Sequence, residues 1–274
     1  MLDLKNFPVT VELASLAGSD VAGVIEEAQK LQADAFNIPD GILGRLTIDP
    51  ITLAFRVHAA TGTPTIAHLT CRDSTVLGLA QKILAAGNLG VDGVLALSGD
   101  AAAKNVFEIR APGLVKLIAD LNNGEFNAKP IKSPTKIQIA VAANPNVDGQ
   151  IDYLKEKEAA GAQFVQTQPV FDLETATKFL DEAKQAGIKI PILLGIMPLK
   201  SLKVAEYFNE KVHGVTIPQS VLQRLAEDEN CGAELAIELL GELKDRLDGV
   251  HIMPLGIAES ANKIFDFLKN KNPA

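Results

Sequence analysis

Glu12, His68, Asp100, Asn144 and Gln168 are polar side chains set within or just after short apolar runs. The runs read Val-Thr-Val-Glu-Leu, Ile-Ala-His-Leu-Thr-Cys, Leu-Ala-Leu-Ser-Gly-Asp, Val-Ala-Ala-Asn-Pro and Gln-Thr-Gln-Pro-Val-Phe-Asp. A carboxylate taken out of water loses much of its hydration energy, and unless paired it holds its proton to higher pH. Glu12 is therefore expected to donate a proton; the alternatives are a pairing with a buried Arg or Lys, or an outward orientation set by a one-residue shift of strand parity. Asp100 directly follows a glycine, where a carboxylate accepts paired hydrogen bonds from the N–H edge of an amidine-like ring, or caps a turn. His68 by itself reads as a satisfied core histidine, Gln168 as a buried amide in need of a partner, and Asn144, just before Pro145, as a turn residue. In Arg72-Asp73-Ser74, Asp73 or Ser74 is expected to cap the helix that follows, and Cys71 to be a small buried hydrophobe, since spacing assigns it no base.

Such residues act only if the elements around them bring their ends together. Short β-branched runs alternate with stretches of helical period, the pattern of parallel strands joined by crossover helices. Strands are expected over 9–13, 35–38, 65–70, 93–97, 137–142, 164–168, 190–196 and 250–255. Helices are expected over 21–32, 50–60, 75–89, 112–121, 151–160, 173–186, 202–209, 227–247 and 258–269. Asp49 followed by Pro50, Asp172 and Ser201 carry helix-start chemistry, and Gly161 and Gly187 stand where helices would end in left-handed backbone. Residues 213–219 read as an extra short strand, and 122–134 as a loop. Eight units, with no glycine-rich phosphate turn after the first strand, favour a single (β/α)8 TIM barrel over residues 1–274 rather than a doubly wound sheet. In that fold the chemistry sits at the carboxyl ends of the strands, where the five polar residues fall.

Composition narrows the ligand. The chain has 274 residues and a formal charge of -8, no Trp and only two Tyr, so neither a phosphate-binding basic face nor a base-stacking platform is expected, and nucleic acid is excluded as a partner. No apolar stretch is long enough to span a bilayer and the first residues lack a signal-peptide pattern, which predicts a cytoplasmic protein with no membrane contact. Cys71 and Cys231 stand alone, with no metal-ligand spacing beside either, so neither a metal nor a disulfide framework is expected.

Taken in order, the segments Val-Thr-Val-Glu-Leu, His68-Leu-Thr-Cys71, Leu97-Ser-Gly-Asp100, Val141-Ala-Ala-Asn-Pro145, Thr167-Gln-Pro-Val-Phe-Asp172, Gly195-Ile-Met-Pro198 and Ile217-Pro218 resemble the methylenetetrahydrofolate reductase family over essentially the whole chain. Ala-His-Leu-Thr-Cys-Arg-Asp and Gln-Pro-Val-Phe-Asp are most similar to the reductase domains fused to homocysteine methyltransferases. The resemblance implies reduction of 5,10-methylenetetrahydrofolate to 5-methyltetrahydrofolate in one-carbon and methionine metabolism, with FAD passing hydride from NAD(P)H. It implies two catalytic residues, Glu12 as general acid and Asp100, which would bind the pterin edge and tune flavin and substrate. Gln168 and Phe208 would contact folate, and His68, Ser98, Gly99, Asp100, Ala142, Asn144 and Lys157 would lie around the cofactor. The sequence also departs from the family: Ser98 replaces an arginine, Asn144 a tyrosine, Asp148 a histidine, Glu156 an arginine beside the retained lysine, and Val204 a folate-contacting glutamine. These departures leave open a barrel that works without its own FAD, drawing electrons directly from NADH or from a redox partner subunit. They also leave open a methyltetrahydrofolate-dependent methyltransferase and a non-catalytic subunit. Apolar stripes on 227–247 or 258–269 suit either barrel packing or a homo-oligomer interface.

Overall fold

The computed structural model describes residues 1–14, 18, 20–41, 45–99, 106–212 and 214–271. The elements run β1 (Val9–Glu12), α1 (Val21–Ala28), β2 (Ala35–Ile38), α2 (Pro50–Thr61), β3 (Thr65–Thr70), α3 (Val76–Leu89), β4 (Gly93–Leu97), α4 (Ala111–Asn122), β5 (Glu125–Phe126) and β6 (Lys129–Pro130). They continue with β7 (Gln138–Ala143), α5 (Gln150–Ala159), β8 (Phe164–Pro169), α6 (Leu173–Gln185), β9 (Ile192–Ile196), α7 (Leu202–Lys211), α8 (Gln219–Glu227), α9 (Gly232–Leu243), β10 (Gly249–Ile252) and α10 (Ala258–Lys271). Eight parallel strands close on themselves in the order β1-β10-β9-β8-β7-β4-β3-β2, with helices outside: a TIM barrel.

Helix starts follow local chemistry. Asp49 accepts from the N–H groups of Ile51 and Thr52 ahead of Pro50, Asp172 from Thr175, and Ser201 from Val204. Gly161 and Gly187 follow the ends of α5 and α6 with positive φ, as expected. The cap of α3 is not Asp73 or Ser74 but Thr75, whose hydroxyl accepts from Gly78 N–H; Asp73 instead takes Nε and Nη2 of Arg72 at 2.8 and 2.5 Å.

Three expected elements differ. The segment 122–134 holds a two-stranded hairpin, β5–β6, turned by Asn127 and Ala128, both at positive φ. No strand forms over 214–218, and α8 begins directly after Pro218, whose fixed φ suits the position before a helix. His213 lies outside the described residues. The expected helix over 227–247 starts only at Gly232 and ends at Leu243, and the helix before it, α8, was not expected; between them the Asp228 carboxylate accepts from Asn230 N–H, and Gly232 packs so tightly on the Leu199 backbone that no Cβ fits.

Strand alternation divides the barrel interior into levels. Ala35, Ile66, Leu95, Ala140, Phe164 and Leu193 form an apolar cluster toward the amino ends of the strands, closed by Leu2. Leu2 is pinned there by paired hydrogen bonds to the Gln138 side chain, at 2.8 and 2.9 Å. Two residues further along their strands come Asn37, His68 and Gln166, with Thr10 and His251 in register across β1 and β10. The larger apolar core lies between sheet and helices. Among the described residues no helix is long and apolar enough to cross a membrane.

Candidate active site

The polar level of the barrel leads directly to Glu12. Gln166 Nε2 donates to Thr10 Oγ1 at 2.9 Å, and Thr10 Oγ1 lies 2.9 Å from His251 Nδ1. One hydrogen is shared between the hydroxyl and Nδ1, and in the tautomer where the hydroxyl donates it, the ring proton of a neutral imidazole sits on Nε2. That nitrogen faces Glu12 Oε2 at 3.9 Å. Thr10, Gln166 and His251 are buried, whereas the Glu12 side chain keeps 25% exposure at the end of β1. A string of polar groups thus runs from the barrel interior to one carboxylate at its mouth.

The partner of Glu12 is a histidine, not the Arg or Lys considered from sequence, and this reverses the expected shift. Burial is the strongest influence on the carboxyl and pushes it up, but the His251 ring, aided by His68, outweighs burial and holds the group below the ordinary carboxylate value. The resting site therefore carries an ionised Glu12 at neutral pH.

His68 is the satisfied core histidine that its strand context suggests. It is buried, with Nε2 3.2 Å from Asn37 Oδ1. Burial depresses its pKa to about 4, against the opposing charges of Glu12 and Asp40, so the ring is neutral. Cys71 is likewise buried, and burial raises its thiol to about 11, as befits a packing residue.

A second network ties the carboxyl ends of β4 and β7 to α5. Ser98 Oγ accepts from Ala111 N–H at 3.1 Å and lies 3.2 Å from Tyr153 Oη. The Tyr153 ring sits under Lys157 Nζ, 4.1 Å from its centroid, because a four-residue step stacks the two on one helix face. Lys157 Nζ donates to the Ala142 carbonyl at 2.7 Å, and burial lowers its pKa to about 8. Gly99 has φ +89, and a Cβ there would press on Arg72 and Thr70. Asn144 forms the expected turn: its Oδ1 accepts from Asn146 N–H, and its Nδ2 donates to Gly214 O.

Gln168 is exposed rather than buried. A bulge between β8 and β9 shifts the register after Gln166, and Thr167 Oγ1 bridges it by accepting from Gly195 N–H and donating to Gln168 O. Phe208 is half-buried on the satellite core of Met197, Leu199 and Ala205, edge-on to the exposed Tyr207. Asp100 lies outside the described residues. Among the described residues no group of three His, Cys, Asp or Glu side chains is placed to hold a metal. The sequence reading missed Thr10, Gln166, His251 and Tyr153.

Comparison with known proteins gives the geometry a context. Residues 19–269 match the family described as methylenetetrahydrofolate reductase. Methylenetetrahydrofolate reductase 2 of Saccharomyces cerevisiae is 27% identical over 252 residues, covering 85% of this chain and 40% of the yeast protein. The 5,10-methylenetetrahydrofolate reductase of Buchnera aphidicola subsp. Baizongia pistaciae is 27% identical over 266 residues, covering 91% of this chain and 85% of its own. The chain spans 31% to 40% of the length of its nematode, fission-yeast and budding-yeast relatives. Among solved structures, an uncharacterized protein from Clostridium thermocellum that binds two copies of 5-methyl-5,6,7,8-tetrahydrofolic acid superposes with a TM-score of 0.68 at 17% identity, covering 97% of this chain and 96% of that one.

Proposed function

This chain belongs to the methylenetetrahydrofolate reductase family, and from that premise we propose that it binds a reduced folate over the carboxyl end of the barrel and reduces 5,10-methylenetetrahydrofolate to 5-methyltetrahydrofolate, with NAD(P)H as the source of hydride. The observation that carries the reading is the Glu12 carboxylate at the mouth, held 3.9 Å from His251 at the end of a buried string of hydrogen bonds. Opening the methylene bridge needs a proton on N10, so that the carbon is left as an iminium on N5 ready for hydride. In this reading Glu12 delivers that proton.

The resting ionisation of Glu12 does not oppose this role. A folate seated over the mouth displaces water from a side chain that is 25% exposed, and burial is already the largest influence on it. Binding therefore drives the carboxyl upward and proton uptake accompanies it. Asp100 and Gln168 are proposed to hold the pterin and Phe208 the aminobenzoyl ring; the half-buried Phe208 and the exposed Gln168 are compatible with contact from outside. FAD is the carrier that the family implies. The residues expected around it do not fit a tightly held dinucleotide, since Ser98, Ala142, Asn144 and Lys157 are bonded to one another or to neighbouring backbone.

Calorimetric titration with 5-methyltetrahydrofolate in two buffers of different ionisation enthalpy tests the reading, paired with an assay of NAD(P)H oxidation by methylenetetrahydrofolate. Wild type should take up protons on binding and turn over. Glu12→Gln should bind without proton uptake and lose about 10²- to 10⁴-fold in kcat, the usual weight of a positioned acid. Folate binding with no oxidation of reduced nicotinamide under any condition would replace reduction by methyl transfer; absence of folate binding would refute the site itself.

A further inference from the structure

We propose that this protein keeps no resident flavin and that hydride reaches the folate directly from a dissociable nicotinamide nucleotide. The inference rests on the folate reading above and concerns the flank of the mouth made by β4, β7 and α5.

A dinucleotide that stays bound through turnover needs charge-assisted hydrogen bonds to its pyrophosphate and unoccupied groups to make them. Among the described residues of this flank, the candidates Ser98, Asn144 and Lys157 are already engaged. Ser98 Oγ accepts from the first N–H of α4 and is bonded to Tyr153, whose ring in turn lies beneath Lys157. Lys157 is only 5% exposed, and its ammonium is directed at the Ala142 carbonyl. The amide of Asn144 is fastened to Gly214. The outer surface offers little unspent positive charge: Asp148, Asp152 and Glu156 follow one another at four-residue steps, all exposed, and Lys178 and Lys155 are paired with Asp148 and Asp152 at 3.6 and 3.7 Å. Asp152 stands in the first turn of α5, so the favourable end of that helix already has an anion of its own.

Each charge-assisted bond forgone weakens binding roughly ten- to a hundred-fold, so two together weaken it about a hundred- to ten-thousand-fold. A loss of that size turns a carrier retained through purification into one that exchanges with solution. That rate of exchange suits a nicotinamide nucleotide, which must leave after every turnover. In the step proposed, the C4–H bond of the reduced nicotinamide breaks and its electron pair and hydrogen form the new C–H bond on the methylene carbon. The N5 iminium becomes N–CH3, the nicotinamide ring becomes the oxidised pyridinium, and the proton already given to N10 completes the balance.

The full chain, purified without added cofactor, is denatured by heat and the supernatant read for flavin fluorescence; the same preparation is titrated with FAD and, separately, with 5-methyltetrahydrofolate. Turnover is then run with NADH deuterated at C4 and the product methyl group read by mass spectrometry. The expected results are no stoichiometric flavin, FAD binding weaker than about 10 μM, and deuterium retained in the methyl group. Glu156→Arg, an exposed change, should strengthen FAD binding about tenfold or more by removing a repelling charge and adding a cation. Stoichiometric flavin in the supernatant, or label lost to solvent through an exchangeable flavin N–H, overturns the proposal. Failure to bind folate with no flavin present would overturn the folate reading while leaving the absence of resident flavin standing.

Discussion

At the scale of single residues, Glu12 is caught between burial, which favours its protonated form, and His251, which favours its ionised form. Removing the imidazole in His251→Leu lets burial prevail, and the carboxyl rises. If Glu12 is the acid proposed, it must be protonated to act, so the limb on which kcat falls with rising pH should move to higher pH, while a purely structural role would leave its position unchanged. The Thr10 hydroxyl is not stranded by this change: Gln166 Oε1 has no partner among the described residues, and a flip of that amide offers it an acceptor. His68 makes a separate prediction about stability. Its folded pKa of about 4 lies below the ordinary 6.5, so the unfolded chain binds the proton first as pH falls. The stability due to its neutral burial is fully present above about 6.5 and is lost as pH drops toward 4, a span worth about 3 kcal/mol. Urea unfolding at pH 7 and pH 5 should show this slope, and His68→Gln should flatten it. Glu12 and His68 were legible because each interrupts an apolar strand. Thr10, Gln166 and His251 were not, because polar residues with no motif become a unit only when barrel closure brings three distant strands to one level. Tyr153 left a fainter signal, an aromatic four residues before a lysine on one helix face.

At the scale of elements, the β8–β9 pair shows why one glycine holds the mouth in shape. A Cβ on Gly195 would overlap the Thr167 carbonyl oxygen and come within 2.7 Å of Gln168 O, both rigid backbone atoms at the bulge. Gly195→Ala should therefore cost about 3 kcal/mol by urea unfolding and displace Gln168, weakening folate binding in the fraction that folds. The bulge was invisible in the sequence, where 164–168 reads as an ordinary strand, and it is what turns Gln168 from an expected buried amide into an exposed one. Strands and most helices were legible to within a few residues, since alternation, proline and capping residues mark them locally. The break between α8 and α9 was not, because it depends on Gly232 meeting Leu199, a contact between segments far apart in sequence.

At the scale of the whole molecule, barrel closure makes one leucine near the start of the chain matter to six of the eight strands. Leu2 is 4% exposed and packs on side chains from β2, β3, β4, β7, β8 and β9, so Leu2→Ala should lower stability by about 2–4 kcal/mol, measured as a shift of the urea midpoint at constant slope. The eightfold count, and the absence of a glycine-rich first turn, made this architecture readable before any coordinates; the plug was not readable, since nothing in Met-Leu-Asp-Leu distinguishes a stopper from a loose end. With Leu2 in place, the apolar cluster closes the barrel interior toward the amino ends of its strands, and the polar level above it faces the carboxyl ends. In the proposed reading, a folate lying across the carboxyl end covers Glu12, and the proton taken up on binding is then closer to the buried polar groups beneath it than to bulk water. On that reading, each visit of the substrate would draw on the exchangeable hydrogens of Glu12, His251, Thr10 and Gln166, the contiguous polar groups beneath the carboxylate.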